Sequence, residues 1–284
     1  IIALALPLWG LGGFARAQIN TDRMMNIARN ALAYDDYVLS ISYFNLVINY
    51  RPHLYEPYFY RGVAKFYLDY YSGTVLDCTE AIRRNPYFPN TYELRGLAYI
   101  NLERFPEAIS DYRTATEMSP DLRSLWHNLA LCYLETDSLD QADSITDIII
   151  KKWAKQADGY GLKAQVYLEK KDTTAAEVCI DKAIEVDKFN IPAHTAKANI
   201  LMSHEQYSEA IQHFDESLRL NPKQAGCLIN RALCHYHLNH YRDAMADYDQ
   251  ALELEPKNFV GHYNRGLLRA NVGEDNLAIE DFNF

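Results

Sequence analysis

Small and turn-forming residues recur along the chain at intervals of 34 positions. Eight small residues occupy the first such series, and a second series, mostly alanine, follows it by twelve positions. The first series comprises Ala28, Gly62, Gly96, Ala130, Ala164, Ala198, Ala232 and Gly266. Five prolines keep the same period, at Pro52, Pro86, Pro120, Pro222 and Pro256. Small residues in all eight equivalent places indicate a chain built from repeats of one unit.

Each unit is predicted to form two amphipathic helices. We number the positions of each unit from 1 to 34. The units begin near residues 21, 55, 89, 123, 157, 191, 225 and 259. Apolar or aromatic residues then recur at repeat positions 4, 8 and 11 and at positions 20, 24 and 27, a spacing that places them on one helix face. A polar stretch between them predicts a turn, and the proline at position 32 ends the second helix. Small residues at positions 8 and 20 would let two antiparallel helices approach closely.

This period and pattern resemble those of the tetratricopeptide repeat (TPR) family over about residues 21–284. The resemblance implies an all-α fold, a right-handed superhelical solenoid of antiparallel helix pairs. The solenoid would occupy residues 18–284, with seven full repeats from about residue 21 and a truncated eighth. It also implies a concave groove that binds peptides or protein surfaces. One helix pair cannot bury its apolar face alone, so the core is expected to run through the stack.

The first residues resemble a targeting segment. Residues 1–14 are almost wholly apolar, and Ala15, Arg16 and Ala17 follow them. This order is typical of a signal peptide, here spanning residues 1–17 and truncated at its start. A membrane anchor is the alternative, but the roughly 15 apolar residues are fewer than the roughly 18 that span a bilayer. We expect a periplasmic or secreted protein with no transmembrane span, and outer-membrane association remains open.

The net charge and the motif content argue against two classes of function, nucleic-acid binding and catalysis. The chain has 28 Lys and Arg against 38 Asp and Glu, a net charge of −10, which argues against nucleic-acid binding. No nucleotide-binding or serine-hydrolase motif occurs, so we predict a protein that is not an enzyme and needs no cofactor.

Cysteine and histidine patterns give no strong sign of metal or disulfide chemistry. The five cysteines all fall at helical positions and are predicted to be small packing residues. Cys227 and Cys234 are too far apart along a helix to be bridged, although one bridge between neighbouring repeats remains open. His235, His237 and His240 lack the i, i+4 spacing of a helical metal pair and are predicted to form a polar helix end.

The residues facing the expected groove indicate its ligand. Some family members bind acidic chaperone tails through basic residues at positions 2, 5, 6 and 9, and no run of basic residues fills these positions here. The groove instead combines an aromatic patch with amides, which can hold an extended peptide backbone. The predicted partner-binding residues are Phe59, Tyr60, Val63, Tyr67, Glu93, Leu97, His127, Asn128, Leu131, Asn199, Asn230 and Asn264. For Phe59 and Tyr60, packing against the neighbouring repeat is the alternative.

These observations favour an exported scaffold that binds a protein or peptide. One alternative is the repeat arm of a larger protein whose activity lies beyond residue 284. Another is carbohydrate capture at the cell surface, with the aromatic patch stacking on sugar rings.

Arginine at position 7 and aspartate at position 23 occur in the same four repeats. The pairs are Arg61 with Asp77, Arg95 with Asp111, Arg231 with Asp247, and Arg265 with Asp281. Residues that vary together suggest contact, and a guanidinium can hold a carboxylate by two parallel hydrogen bonds. We predict that these arginines are structural struts and exclude them from the binding site.

Overall fold

The computed structural model describes residues 20–284, which are entirely helix and turn without a strand, as the all-α prediction requires. The predicted signal peptide, residues 1–17, lies outside the described residues. The helices are α1 Thr21–Ala33, α2 Tyr37–Tyr50, α3 Glu56–Tyr67, α4 Tyr71–Arg84, α5 Pro89–Asn101, α6 Phe105–Met118, α7 Arg123–Glu135, α8 Leu139–Lys152, α9 Ala157–Glu169, α10 Thr173–Val186, α11 Ile191–Ser203, α12 Tyr207–Leu220, α13 Ala225–His237, α14 Tyr241–Leu254, α15 Phe259–Asn271 and α16 Asp275–Phe282. Each predicted repeat therefore contributes one helix pair.

The described helices belong to two compact units, the first ending at Arg104 and the second spanning Phe105–Phe284. Within the first unit, α1 packs on α2, α2 on α3, α3 on α4 and α4 on α5. The second unit continues the same order from α6 to α16. In each unit, a helix therefore packs on both its neighbours in the sequence, which is the stacking expected of a solenoid.

Every turn between the two helices of a repeat contains one residue with a left-handed backbone, at repeat position 15. These residues are Asp35, Asp69, Glu103, Asp137, Lys171, Glu205, Asn239 and Gly273. The next amide then hydrogen-bonds to a carbonyl of the last turn, as Tyr70 N does to Lys65 O at 2.9 Å. This closure satisfies a carbonyl at the helix end and reverses the chain within three residues.

The small residues lie where the two helices of a repeat approach each other. All eight members of the first small series are buried, as predicted. At position 20, the Ser40 hydroxyl donates to the Ala28 carbonyl at 3.0 Å, and the Thr74 hydroxyl donates to the Gly62 carbonyl at 3.1 Å. A larger residue at either position would separate the helices, so the size restriction follows from this contact.

The cysteines pack as predicted. Cys132, Cys227 and Cys234 are buried free thiols, and Cys179 is a half-buried free thiol. Burial raises the pKa of Cys132 to about 12 and that of Cys234 to about 11, so both are protonated and unreactive near neutral pH.

Over residues 20–284, every helix is too short or too polar to cross a bilayer.

Candidate functional site

Arginine struts occur in the structure as the sequence predicted. In three of the predicted pairs both residues belong to the same unit, and all three of these pairs form. They are Arg61–Asp77, Arg231–Asp247 and Arg265–Asp281. In the second pair, Arg231 Nε and Nη2 donate to the two oxygens of Asp247 at 2.8 and 2.6 Å. The fourth predicted pair has Arg95 in one unit and Asp111 in the other.

Each strut arginine also bonds to the preceding repeat. The acceptor stands at position 25 of that repeat, sixteen residues before the arginine. These contacts are Arg61 to Asn45 at 2.5 Å, Arg95 to Thr79 at 3.1 Å, Arg231 to Asp215 at 2.6 Å and Arg265 to Asp249 at 2.7 Å. One guanidinium can thus join the second helices of two consecutive repeats, which explains the requirement for arginine.

In the fifth repeat, lysine replaces the strut arginine and takes different partners. Cys179 stands where other repeats have aspartate, so Lys163 has no carboxylate at position 23 of its own repeat. Its ammonium instead pairs with Asp143 and Asp147 of the preceding repeat. These carboxylates raise the pKa of Lys163, although burial opposes the increase. An ammonium is a compact point charge, so it can pair with two separate carboxylates. A guanidinium, in contrast, is a planar group that matches the two oxygens of one carboxylate.

The sixth repeat repeats this substitution. His213 occupies position 23, and Lys197 pairs with Glu177 at 2.8 Å and Asp181 at 2.7 Å. The strut positions of all these repeats are therefore engaged within the chain and are unsuited to binding a partner.

A cavity of about 400 Å³ lies between α9 and α11. Positions 2, 5, 6 and 9 of the fifth repeat line it, and these are the positions expected to face a ligand. Apolar residues from three helices make up most of the wall: Ala157, Leu162, Ala164, Leu168, Ile180, Ala183, Pro192, Ala193 and Ala196. Polar groups of His127, Asp158, Gln165 and Asn190 complete the lining. An apolar pocket with a few polar groups is the usual form of a ligand site.

Gly161 helps to create this cavity. It occupies position 5, where the neighbouring repeats have His127 and Thr195. A Cβ added to Gly161 would meet nothing within 4 Å, so the glycine is not required for close helix packing. Its missing side chain therefore leaves open space at the wall of the cavity.

The polar side of the cavity carries a paired charge. The Arg123 guanidinium bonds to Asp158, and His127 Nδ1 lies 3.9 Å from the same carboxylate. Burial and the charge of Arg123 lower the pKa of His127, so its imidazole is neutral at pH 7. The cavity thus offers a neutral imidazole, amides and a neutralised carboxylate around an apolar interior.

The predicted aromatic patch lies in the first unit and is largely engaged in internal packing. Tyr60 stacks on Phe44 with ring centroids 5.9 Å apart, and Phe59 contacts Phe88 edge-on at 5.1 Å. The alternative of packing against neighbouring repeats thus describes Phe59 and Tyr60. Among the other predicted residues of this unit, Val63, Glu93 and Leu97 are half-buried and Tyr67 is exposed.

The remaining predicted residues lie in the second unit, where His127 lines the cavity. Asn128 donates to the Tyr112 hydroxyl at 3.3 Å, and Leu131 packs on the apolar core formed by residues such as Ile149. Asn230 donates to Asn199 at 3.0 Å across neighbouring repeats, and Asn264 is half-buried. The structure thus joins two of the predicted amides to each other.

Sequence comparison identifies the repeats independently. Models of the tetratricopeptide repeat family match residues 94–143, 157–190, 191–224 and 225–258, together more than half of the chain. No curated protein matches the sequence significantly.

Solved structures show the same fold at low sequence identity. A tetratricopeptide repeat protein from Parabacteroides merdae is 13% identical with a TM-score of 0.68, and the match covers 91% of this chain and 98% of that one. The C-terminal part of a TPR repeat-containing protein from Cytophaga hutchinsonii is 15% identical with a TM-score of 0.66, covering 82% and 96%. A chain of the APC/C hetero-tetramer Cut9–Hcn1 is 15% identical with a TM-score of 0.62, covering 96% of this chain and 53% of that one.

This chain therefore spans about half the length of the Cut9–Hcn1 chain that it matches. The 34-residue period, the helix pairs, the family models and the similar folds agree. The chain belongs to the tetratricopeptide repeat family.

Proposed function

We propose that this protein is an exported scaffold that binds a segment of a partner protein along its groove, with an apolar side chain of the partner held in the α9–α11 cavity. The cavity carries this proposal, since it is lined by the repeat positions expected to face a ligand and its walls are mostly apolar. Its volume of about 400 Å³ is towards the lower end of ligand pockets, a size that suits one large side chain better than a cofactor.

The polar residues that line the cavity, called its rim here, favour a peptide over a charged small molecule. Asp158 is neutralised by Arg123, and His127 carries no charge at pH 7 because its pKa is lowered. The amide of Gln165 belongs to an exposed residue and can both donate to and accept from a peptide bond. An extended segment can therefore place an apolar side chain inside and its backbone against the rim.

The test is to fill the cavity without disturbing the core. Gly161→Phe introduces a ring into the open space beside the groove, where a Cβ meets nothing within 4 Å. Val178→Phe is the control, because Val178 lies on the second helix of the same repeat, is 66% exposed and does not line the cavity. Peptides would first be selected on the wild-type protein from a random display library, and their dissociation constants would then be measured for all three proteins.

We expect Gly161→Phe to weaken binding of the selected peptides by about tenfold or more, as burial of one side chain would provide. Val178→Phe should leave their dissociation constants unchanged. Equal affinity for wild-type protein and Gly161→Phe would contradict the cavity as the anchor. Helical content measured by circular dichroism would verify that both variants fold.

Export is a separate part of the proposal and rests on the apolar run and the small residues of 1–17. In a Gram-negative host, a chain carrying this segment behind a supplied basic leader should reach the periplasm. Mass spectrometry of the exported chain should find Gln18 as the first residue. A chain that stays in the cytoplasm, or one that keeps residues 1–17, would argue against a cleaved signal.

Carbohydrate capture is a second candidate, favoured by exposed tyrosines in the first unit. Tyr34 is 85% exposed, Tyr67 61% and Tyr70 54%, and such rings can stack on sugars. Tyr67, however, is already stacked on Tyr37 with centroids 5.3 Å apart. Retention of wild-type protein in a glycan-containing gel, lost with Tyr67→Ala and Tyr70→Ala together, would support this function over peptide binding.

A further inference from the structure

Three metal-ligating side chains meet at the turn between α13 and α14, in the seventh repeat. His235 lies in the last turn of α13, His240 immediately precedes α14, and Asp243 lies in its first turn. One ligand atom of each residue lies within 4.8 Å of the ligand atoms of the other two. The site is remote in sequence and in repeat number from the α9–α11 cavity.

The turn fixes this arrangement. Asn239 takes the left-handed conformation, and the His240 amide donates to the His235 carbonyl at 2.8 Å. This closure brings the end of one helix against the start of the next, so that the two imidazole centroids are 5.8 Å apart. The backbone therefore holds the two histidines as neighbours before any ligand binds.

His235 has an unsatisfied nitrogen. Its Nδ1 is buried and has no hydrogen-bond partner, whereas most buried polar side-chain atoms have at least one. This buried ring nitrogen is therefore free to act as a ligand to an incoming group such as a metal ion.

The other repeats serve as internal comparisons, because they form the same turn. At positions 11, 16 and 19 each of them carries at most one His, Cys, Asp or Glu. The corresponding triplets are Ala31, Asp36 and Leu39; Lys65, Tyr70 and Gly73; Tyr99, Arg104 and Glu107; Tyr133, Ser138 and Gln141; Tyr167, Asp172 and Ala175; Leu201, Gln206 and Glu209; and Arg269, Glu274 and Leu277. The three ligating residues of the seventh repeat are therefore not a consequence of the repeat pattern.

We propose that His235, His240 and Asp243 bind a divalent transition-metal ion of the Zn²⁺ type. Two imidazoles and one carboxylate are donors that suit Zn²⁺, and they leave a coordination position for water or for a side chain of a partner. Bonds of about 2.0–2.2 Å to each ligand require the three groups to contract by about 1–2 Å. His240 and Asp243 are exposed, so rotation of their side chains can supply this movement.

The sequence alone favoured a polar helix end here. The i, i+4 rule for histidine pairs applies within one helix, whereas these three ligands come from both sides of a turn at spacings of five and three residues. The carboxylate that completes the set, Asp243, belongs to the following helix and lies outside any rule for a single helix.

Isothermal titration of the untagged, metal-free protein with Zn²⁺ would test the site, under reducing conditions. We expect one Zn²⁺ to bind per chain and no heat with Mg²⁺ under the same conditions. His240→Ala and Asp243→Asn should each lower the affinity for Zn²⁺ by about tenfold or more. His237→Ala is the matched control, because His237 lies on the same helix as His235 but stacks on Tyr207 with centroids 4.5 Å apart. It should bind Zn²⁺ like the wild type.

A second measurement distinguishes this site from adventitious binding by other histidines. Co²⁺ bound to two imidazoles and a carboxylate should give visible d–d absorption that Zn²⁺ displaces and that His240→Ala removes. No Zn²⁺ binding in the wild type, or equal binding in His240→Ala and wild type, would overturn the proposal. The peptide-binding test at Gly161 is independent of these outcomes.

Discussion

Arg231 binds Asp247 through one edge of its guanidinium, with Nε donating to Oδ2 at 2.8 Å and Nη2 to Oδ1 at 2.6 Å. Asp247 is only 6% exposed. Hydrogen bonds to Asp247 raise the pKa of Arg231, with burial opposing, so the guanidinium stays charged across the accessible pH range. A position that would otherwise be assigned to ligand binding is thereby used to hold two helices together.

Removing one member of this pair should lower the free energy of unfolding more than removing one member of an exposed ion pair. We expect Arg231→Met to lower the free energy of unfolding by about 2–3 kcal/mol, because it leaves Asp247 buried and unpaired. In Arg231→Met/Asp247→Leu much of the loss should be recovered. Arg219→Met is the control, since Arg219 and Glu216 have side chains 57% and 30% exposed, and its cost should stay below about 1 kcal/mol. Urea unfolding would measure all four proteins, and equal losses for the two arginine variants would contradict the strut.

A histidine pair in the sixth repeat should make stability depend on pH. His194 Nε2 lies 3.0 Å from the Lys188 carbonyl, and its Nδ1 lies 3.0 Å from Nδ1 of His213. A carbonyl can only accept, so neutral His194 carries its proton on Nε2 and accepts from His213. Burial lowers the pKa of His213, and the positive charge of Lys197 lowers it further.

The sign of the pH effect follows from this lowered pKa. As the pH falls through about 6.5, the unfolded chain takes up a proton at His213 that the folded chain resists, so the stability present above this pH is lost. His213→Asp should remove the loss, because His262 and Asp281 form the same contact at 2.9 Å in the eighth repeat. Thermal melts between pH 7.5 and 5 would compare the two proteins, and parallel pH profiles would exclude the histidine pair as the cause.

The left-handed turn residues offer a stabilising substitution. Lys171 has φ of 60°, a conformation that costs a residue with a side chain about 1–2 kcal/mol but costs glycine little. Lys171→Gly should therefore raise the free energy of unfolding by about 1 kcal/mol, after allowance for the greater freedom of glycine in the unfolded chain. Gly273, with φ of 84°, provides the reverse test, and Gly273→Ala should lower stability. Chemical unfolding of both variants would show whether the effects have opposite signs.

Two glycines at repeat position 8 should respond differently to alanine. A Cβ on Gly62 would lie 3.5 Å from Asp77 Cβ and from Cys78 Sγ, which is ordinary contact. Gly62→Ala should thus gain about 1 kcal/mol from helix propensity. A Cβ on Gly266 would come within 2.6 Å of the Phe282 ring, so Gly266→Ala should not show this gain. A similar gain at both sites in melting experiments would show that position 8 is less tightly packed than we infer.

The sequence allowed the helices and the struts to be predicted because both follow from geometry that every repeat shares. Gly62 and Ala232 occupy the equivalent helix contact in their own repeats. The joint occurrence of Arg231 and Asp247 indicates a direct bond between them. These signals are repeated, so they can be separated from chance within a single chain.

Features that occur in one repeat could not be predicted in this way. Gly161 forms part of a cavity through the absence of a side chain, and a helical glycine in a sequence more often indicates close packing. Lys163 replaces an arginine but bonds to the preceding repeat, a change of partner that no pairing rule within one repeat reveals. His240 and Asp243 come together only through the turn, and their spacing does not match a single-helix motif.

The substitution of lysine for arginine in the fifth and sixth repeats has a consequence for cooperativity. An arginine strut ties the two helices of its own repeat to each other and to the repeat before, whereas Lys163 and Lys197 make ionic contacts only to the repeat before. In a linear array whose stability is a sum of internal and neighbour terms, the fifth and sixth repeats have the smaller internal term. Amide hydrogens of α9 to α12 should therefore exchange faster than those of α13 and α14, and an occupied α9–α11 cavity should slow that exchange by adding contacts across the least restrained part of the array.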